Sequence, residues 1–312
     1  MTDARHALLA GIVDYAGLFP PAVLGMPEAT ANYASYRASD DGWMLGRFVV
    51  PVARLSEFAL AAVHAEQQLA ATDAVAHTPP PPWLLSAIAG ADIARDVGAV
   101  RSFNDRHRPQ FVVDVLEAKA GDRAAIAAIA EVVPQAGLVT YVEIPLADDP
   151  APLVEALAAH ALRAKLRTGG VTPDAFPSSA QVARALARCV SARVPCKATA
   201  GLHHPVRGDF ALTYAANAPR GMMFGYLNVF LAAGLLTRGG TERDAEALLS
   251  DADPHAFSIT DDDVRWREHV FSRSDLARLR AAATAFGSCS FRAPVDDLGT
   301  LVILQSSRAL PA

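Results

Sequence analysis

The chain has 312 residues, of which 52% are hydrophobic and 20% are charged, and its net charge is -5 at pH 7. Such a chain buries a sizeable core, as two ordinary domains or as one large barrel, and its composition excludes a disordered or fibrous protein. Because nucleic-acid binding needs clustered Lys and Arg, a weakly acidic chain without a dense basic run is not expected to bind nucleic acid.

The N-terminus and the cysteines predict a cytoplasmic protein. The first residues, MTDARHALLAG, contain no long apolar segment of the kind found in signal peptides. The longest apolar run, MMFGYLNVFLAAGLL, is too short and too interrupted to span a bilayer, so no membrane association is expected. Cys189, Cys196 and Cys289 are odd in number and lack CxxC spacing, which indicates reduced thiols.

Short apolar segments with strand character alternate with helical segments along most of the chain. The predicted strands are GIVDYAGL, LGRFVVP, WLLSAIAG, QFVVDVLEA, LVTYVEIPL, RAKLRTGG, VPCKATAGL and MMFGYLNVF. Segments between them, such as LSEFALAAVHAEQQLAA, carry apolar residues at three- and four-residue intervals, which is typical of helices. Eight units predict a closed (β/α)8 TIM barrel of the α/β class over residues 1–236, although a doubly wound open sheet has the same unit pattern.

Residues 237–312 are predicted to form a helical extension that packs on the barrel. Within it, GSCSF is the segment best suited to a shaped loop. Cys289 in that segment reaches the pocket if the tail folds over the barrel mouth, and is otherwise a buried structural thiol. The proline run in residues 73–82 predicts a stiff connection before the third strand.

Two of the predicted strands carry a lysine on the face opposite their apolar residues. Neighbouring strands lie about 4.8 Å apart, so Lys165 and Lys197 would point into the same lumen. Proximity of two ammonium groups, together with burial, would lower the pKa of at least one of them and leave an amine that attacks carbonyl compounds. Alternatively, each lysine extends toward solvent or pairs with a carboxylate and has no catalytic role.

Three carboxylates lie within or near apolar strands, where an unpaired charge is costly: Asp14, Asp114 and Glu143. We expect them to pair with the lysines. They either form a salt-bridge network that only fixes the barrel core, or they move protons during imine chemistry.

The strand motifs resemble a known family. VDYAGLFPPAVLGMPEA, VVDVLEAKAG, VEIPLADD, AKLRTGGVTP and PCKATAGLHHP, in this order, are similar to motifs of the class I aldolase barrel of deoxyribose-phosphate aldolase. That family has aspartates on strands one and four, a glutamate on strand five, K-x-S-T-G on strand six and K-x-x-G-G on strand seven. The resemblance covers about residues 10 to 230 and implies that Lys165 forms the Schiff base, Lys197 lowers its pKa and Asp114 relays protons.

The chain departs from that family where the substrate would bind. Arg167, Thr168 and Gly169 replace Ser-Thr-Gly, which adds a fixed cation suited to a carboxylate or phosphate. AGLHHP replaces the glycine-rich phosphate cradle, and the predicted eighth strand lacks a serine-bearing turn, so deoxyribose 5-phosphate is not the expected substrate. Segments KLRTGG and TAGLHH also resemble a group of uncharacterised bacterial barrel proteins, which implies no activity. The candidate substrate-binding residues are Arg167, Thr168, Gly169, Thr199, Gly201, His203 and His204.

We therefore expect a lyase of the aldolase type that acts on a small anionic carbonyl compound, with Arg167 and His203 or His204 holding the anion. No cofactor is expected, because the protonated imine is itself the electron sink. A Schiff-base dehydratase or decarboxylase would use the same residues, and the sequence leaves open whether the protein is a homo-oligomer. The expected catalytic residues are Lys165, Lys197, Asp114, Asp14 and Glu143.

Two other functions remain open. In the first, His203 and His204 leave the strand and bind a metal ion together with Glu143 or Asp14, as in a metal-assisted lyase or hydrolase. In the second, the barrel has lost catalysis and serves in binding or assembly.

Overall fold

The computed structural model describes residues 3–72 and 81–306. Within these ranges, eight parallel strands close into a barrel surrounded by helices, which confirms the predicted (β/α)8 fold. The predicted proline-rich connection falls almost entirely outside the described ranges. None of the helices in the described part of the chain combines the length and the apolarity that crossing a membrane requires.

The strands, in chain order, are β1 (Val13–Tyr15), β2 (Leu45–Pro51), β3 (Trp83–Ile88), β4 (Phe111–Lys119), β5 (Val139–Ile144), β6 (Arg163–Arg167), β7 (Cys196–Thr199), β8 (Gly208–Ala211), β9 (Arg220–Met223), β10 (Phe257–Ile259), β11 (Asp263–Trp266), β12 (His269–Ser272) and β13 (Ala283–Ser288). The α-helices are α1 (Ala4–Leu9), α2 (Met26–Ala38), α3 (Leu55–Thr72), α4 (Ile93–His107), α5 (Arg123–Val132), α6 (Ala151–Ala159), α7 (Ser179–Ser191), α8 (Tyr226–Thr237), α9 (Glu242–Ser250), α10 (Arg273–Ala282) and α11 (Arg292–Ser306).

The barrel consists of β1 to β7 in chain order, closed by β13, which pairs in parallel with both β7 and β1. Each of β1 to β7 lies within or overlaps its predicted segment. Aromatic side chains fill the space between the outer face of the barrel and the helices. Tyr33 of α2 and Phe58 of α3 pack with Phe48, Trp83 and Phe111 of the strands, with ring centroids about 5 to 6 Å apart.

The predicted eighth strand is wrong. Its first residues belong to β9, which pairs with β8 in a two-stranded hairpin, and its remainder begins α8. Helix α8 is buried along nearly its whole length, so it is apolar on every side, and an all-apolar run has no period that separates a buried helix from a buried strand. The true closing strand, ATAFGS, is short and rich in small residues, and it follows α10 without a loop.

Residues beyond position 236 therefore complete the barrel as well as extend it. A boundary at residue 236 would separate β13 from the seven strands with which it forms the barrel. The long connection between β7 and β13 holds the hairpin β8–β9, helices α8 to α10 and a three-stranded antiparallel sheet, β10 to β12. Of the segment predicted as a loop, GSCSF, the first two residues end β13.

The register of the strands places the charged side chains. Glu143 of β5 is level with Lys165 of β6, which is level with Lys197 of β7. Because side chains alternate between the two faces of a strand, residues of equal register and parity point into the same barrel interior. One layer of that interior is therefore ionic.

Candidate active site

Five ionisable side chains, each from a different strand, form a network inside the barrel. Lys197 Nζ donates to Asp14 Oδ2 at 2.6 Å and to Glu117 Oε1 at 2.7 Å. Lys165 Nζ lies 2.7 Å from Glu117 Oε2 and 3.0 Å from Glu143 Oε2. The structure thus brings together four of the sequence-predicted catalytic residues and adds a fifth residue, Glu117.

Glu117 is the centre of the network, and sequence reasoning missed it. One oxygen of its carboxylate accepts from Lys197 and also from Ser86 Oγ, at 2.6 Å, while the other contacts Lys165. In β4, Asp114 and Glu117 are three residues apart, so a regular strand would place them on opposite faces. The register between β3 and β4 shifts by one residue at Asp114, and this irregularity turns Glu117 inward.

The structure does not bring Asp114 to the lysines. Its carboxylate forms a bidentate pair with Arg47, with Nε to Oδ1 at 2.7 Å and Nη2 to Oδ2 at 2.6 Å. About a third of each side chain of this pair is exposed. The carboxylate for which the family resemblance implied a proton relay is thus paired with Arg47 and not with Lys165 or Lys197.

The charges of the network determine its ionisation states. Burial disfavours the charged form of Lys197, but the charges of Asp14 and Glu117 outweigh burial and raise the pKa of Lys197. Burial likewise opposes ionisation of Glu117, yet Lys197 and Lys165 hold its pKa well below the usual range. The pKa of Glu143 is lowered in the same way, by Lys165 and Arg167 against the effect of burial. Lys197 is thus an ammonium group.

A cavity of about 390 Å³ opens above this network at the C-terminal ends of the strands. Its buried end contains Lys165, Lys197 and Glu117, and its walls include residues from the loops after β1, β6 and β7. A neighbouring cleft of about 560 Å³ shares Lys119 and Arg167 with the cavity, as well as Glu143. The site therefore has the position at which TIM-barrel enzymes carry their catalytic residues.

The chain contains only three lysines, and all three line this cavity. Lys165 and Lys197 are 5% and 2% exposed, whereas the side chain of Lys119, at the end of β4, is 68% exposed. Every other permanently cationic side chain of the protein is an arginine. This count was available from the sequence alone and is the signal that would have pointed to Lys119.

The candidate residues of the strand-six motif have different roles. Arg167 lines the cavity and donates Nε to Glu143 Oε1 at 3.1 Å. Thr168 is fully buried and points away from the cavity, donating its hydroxyl to the carbonyl oxygen of Ala200 at 2.8 Å. Thr168 therefore ties the ends of β6 and β7 together.

Two candidate glycines owe their identity to the Phe176 side chain. A Cβ atom on Gly169 would lie 2.4 Å from the ring, and one on Gly201 would lie 2.8 Å from it. Gly201 also has a φ of +73°, in the left-handed region that favours glycine. These glycines shape the loops at the mouth, whereas Thr199 lines the cavity directly.

The adjacent histidines point into different cavities. His203 lines the main cavity and its Nδ1 lies 3.2 Å from Ser288 Oγ. Burial, with a smaller contribution from His204, lowers the pKa of His203 to about 4, so this imidazole is neutral near pH 7 and supplies no charge for an anion. His204 stacks on Phe210 and pairs with Asp297 of α11, lining a separate cleft.

The shared metal site proposed for the two histidines would need them to converge with a carboxylate. In the described ranges, no group of three or more His, Cys, Asp and Glu side chains is arranged to hold a metal ion. The two rings instead have separate partners.

Cys289, just after β13, lines the cavity and is buried. Its Sγ lies 3.4 Å from the hydroxyl of Tyr214, in the loop between β8 and β9. Burial raises the pKa of this thiol, which therefore stays protonated near neutral pH.

No protein-family model matches the sequence. A search of curated proteins also found no match. The likeness to deoxyribose-phosphate aldolase therefore rests on the strand motifs and on the barrel that carries them.

The arrangement combines the parts that imine chemistry uses. A primary amine reaches an enclosed cavity, carboxylates lie within 3.0 Å of it, and a guanidinium borders the opening. A purely structural ion network would use the same contacts, and the identity of the cations distinguishes it from a catalytic site.

Proposed function

We propose that this protein is a lyase of the class I aldolase type, in which Lys165 forms a Schiff base with a small anionic carbonyl compound. The observation that carries the proposal is the confinement of all three lysines to one cavity. Arginine suits buried ion pairs better than lysine does, because its guanidinium is weakly hydrated and binds carboxylates bidentately. Lysine is required where an amine must lose a proton and form a covalent bond.

The family resemblance supports the same reaction. Lys165 and Lys197 occupy neighbouring strands at equal register, as the two-lysine motifs of deoxyribose-phosphate aldolase imply for strands six and seven. A TIM barrel commonly carries an enzyme, and its active site lies at the C-terminal ends of the strands. The cavity with the lysines opens at that end.

We assign the nucleophile to Lys165 because it is the buried lysine nearer the opening. Its partner Glu143 borders both the cavity and the outer cleft. Lys197 is enclosed by Asp14, Glu117 and the Tyr141 ring, whose centroid is 5.4 Å from Nζ. Lys197 remains an ammonium group and keeps Glu117 ionised.

Glu143 takes the role that the resemblance gave to Asp114. Lys165 passes a proton to Glu143, and its Nζ lone pair then attacks the carbonyl carbon. Glu143 returns the proton to the alkoxide oxygen, which gives the carbinolamine, and then carries a second proton from Nζ to the hydroxyl group, which leaves as water. The products are a protonated imine and one water molecule, so no cofactor is consumed.

The protonated imine then acts as the electron sink for making or breaking the neighbouring carbon–carbon bond. Dehydration or decarboxylation would pass through the same imine. Product analysis separates these reactions: an aldolase releases or consumes a second carbonyl compound, a decarboxylase releases CO₂ and a dehydratase releases water alone.

The proposal is tested by sodium borohydride reduction in the presence of a panel of aldehydes, ketones and oxo acids, followed by intact-mass analysis. We expect one adduct per chain in the wild type and in Lys119→Met, and none in Lys165→Met. Circular dichroism establishes that each variant is folded. If folded wild-type protein forms no adduct with any of the carbonyl compounds, the proposal is contradicted, and a structural ion network in a binding protein is favoured.

A further inference from the structure

The ionic cluster at the cavity contains one more cation than anion. Its cations are Lys119, Lys165, Arg167 and Lys197, and its anions are Asp14, Glu117 and Glu143. The buried lysines are matched by the buried carboxylates, with Glu143 shared between Lys165 and the mouth. The positive surplus of this ion-paired cluster therefore lies at the mouth, with Lys119 and Arg167. Asp174 also lines the outer cleft, but in the described ranges it forms no ion pair with either of them.

Lys119 and Arg167 converge on a single oxygen atom. Glu143 Oε1 lies 3.5 Å from Lys119 Nζ and 3.1 Å from Arg167 Nε, while Glu143 Oε2 faces Lys165. One carboxylate cannot neutralise both cations at the mouth and Lys165 as well. A second carboxylate, brought by the substrate, would complete the pairing.

Both cations have donors left for such a carboxylate. Arg167 engages Glu143 through Nε, and within residues 3–72 and 81–306 its terminal nitrogens have no side-chain partner. The side chains of Arg167 and Lys119 are 45% and 68% exposed. Both line the inner cavity and the outer cleft, so their free donors face the passage between the two.

The shared partner also limits the length of the substrate. Two contacts and the width of one carboxylate separate Lys165 Nζ from Arg167 Nε, so these nitrogens lie within about 8 Å of each other. A carbonyl carbon bonded to Lys165 can have a carboxylate on Arg167 when only one or two carbon–carbon bonds separate them. A longer acid would have to fold back.

We propose that Lys119 and Arg167 bind the carboxylate of a short oxo acid, of the 2-oxo or 3-oxo class, whose carbonyl carbon forms the imine with Lys165. This inference rests on the proposed Schiff-base function and defines its substrate class. The single surplus charge matches a carboxylate better than a phosphate, which carries nearly two negative charges near pH 7.

The test compares borohydride trapping rates for pyruvate, for its neutral amide and for the 4-oxo acid levulinate. Pyruvate and pyruvamide present the same methyl ketone and differ in the anion. We expect pyruvate to be trapped at least about tenfold faster than either of the others, because a charge-assisted contact is lost in each.

Variants of Arg167 and Lys119 test whether these two side chains bind the carboxylate of pyruvate. Arg167→Gln should slow pyruvate trapping at least about tenfold more than pyruvamide trapping, because the lost pair with Glu143 affects both compounds whereas the lost carboxylate contact affects pyruvate alone. Lys119→Gln should slow pyruvate trapping by a smaller factor, about threefold to tenfold, because this side chain is more exposed, whereas Lys119→Arg should keep the wild-type rate. The matched control is Arg188→Gln, which removes an arginine of similar exposure that pairs with Asp149 outside the cavity.

The outcomes separate this inference from the proposed function. Equal trapping of pyruvate and pyruvamide, or equal losses for both compounds in Arg167→Gln, would overturn the carboxylate site while the Schiff-base function stands. A large loss in Lys119→Arg would also overturn it, because a binding charge would then be insufficient. Failure to trap any carbonyl compound would instead contradict the proposed function.

Discussion

Replacing Glu117 by Gln should destabilise the fold more than any other change in the ionic network. The Glu117 carboxylate contacts both lysine ammonium groups at 2.7 Å and accepts from Ser86 at 2.6 Å. Glutamine keeps the volume but removes the charge and places an NH₂ group against a cation. Removing one partner of a buried ion pair typically costs about 3 to 5 kcal/mol, and we expect about 4 kcal/mol in the free energy of unfolding.

Urea denaturation at pH 7 measures this cost. The control is Asp114→Asn, which breaks the partly exposed pair with Arg47 in the same strand and should cost only about 1 kcal/mol. The folded-state pKa of Glu117 lies below its ordinary value, so its contribution is present above about pH 4 and is lost as the pH falls through the folded-state pKa. The difference between wild type and Glu117→Gln should therefore shrink in acid. A cost below about 1 kcal/mol at pH 7 would refute the central position of Glu117.

Three further outcomes follow from the structure. Gly201→Ala should lower the free energy of unfolding by about 2 kcal/mol or more in urea denaturation, because the new Cβ meets Phe176 and the φ of residue 201 is +73°. The control Gly137→Ala, with a φ of +62° but open space around it, should lower it by only about 1 kcal/mol. NMR titration should show that His203 is neutral from pH 8 to about pH 5. Because its folded-state pKa of about 4 is below its pKa in the unfolded chain, its contribution to stability should fall as the pH drops from about 6.5. A measured His203 pKa above 6 would contradict its burial. Thr168→Val should lose about 1 kcal/mol by leaving the Ala200 carbonyl oxygen without its donor, and should leave the ratio of pyruvate to pyruvamide trapping unchanged.

The sequence predicted the barrel because seven strands and several helices carry a distinct hydrophobic period. Strand β2 and helix α3 match their predicted segments to within one residue. The eighth strand could not be found in the same way. Helix α8 is apolar on all sides and imitates a buried strand, while β13 is short and contains a glycine and small residues.

The candidate site was predicted where a strand is regular and missed where it is not. Alternation correctly places Glu143, Lys165 and Lys197 on one face. The shift in pairing register at Asp114 exchanges the inner and outer faces of the strand for the residues that follow it. Only the pairing of β4 with β3 reveals this shift. The roles of Gly169 and Gly201 depend on Phe176, which is distant from Gly201 in the sequence, so no local pattern could distinguish packing from ligand binding.

The most direct test of imine chemistry is the location of the adduct after borohydride reduction with pyruvate, determined by peptide mapping. With only three lysines in the chain, each falls in a separate peptide region, and the modified amine can be assigned without ambiguity. We predict a single adduct on Lys165. An adduct confined to Lys119 or to the N-terminal amine, or no adduct on folded protein, would contradict a Schiff base formed inside the barrel.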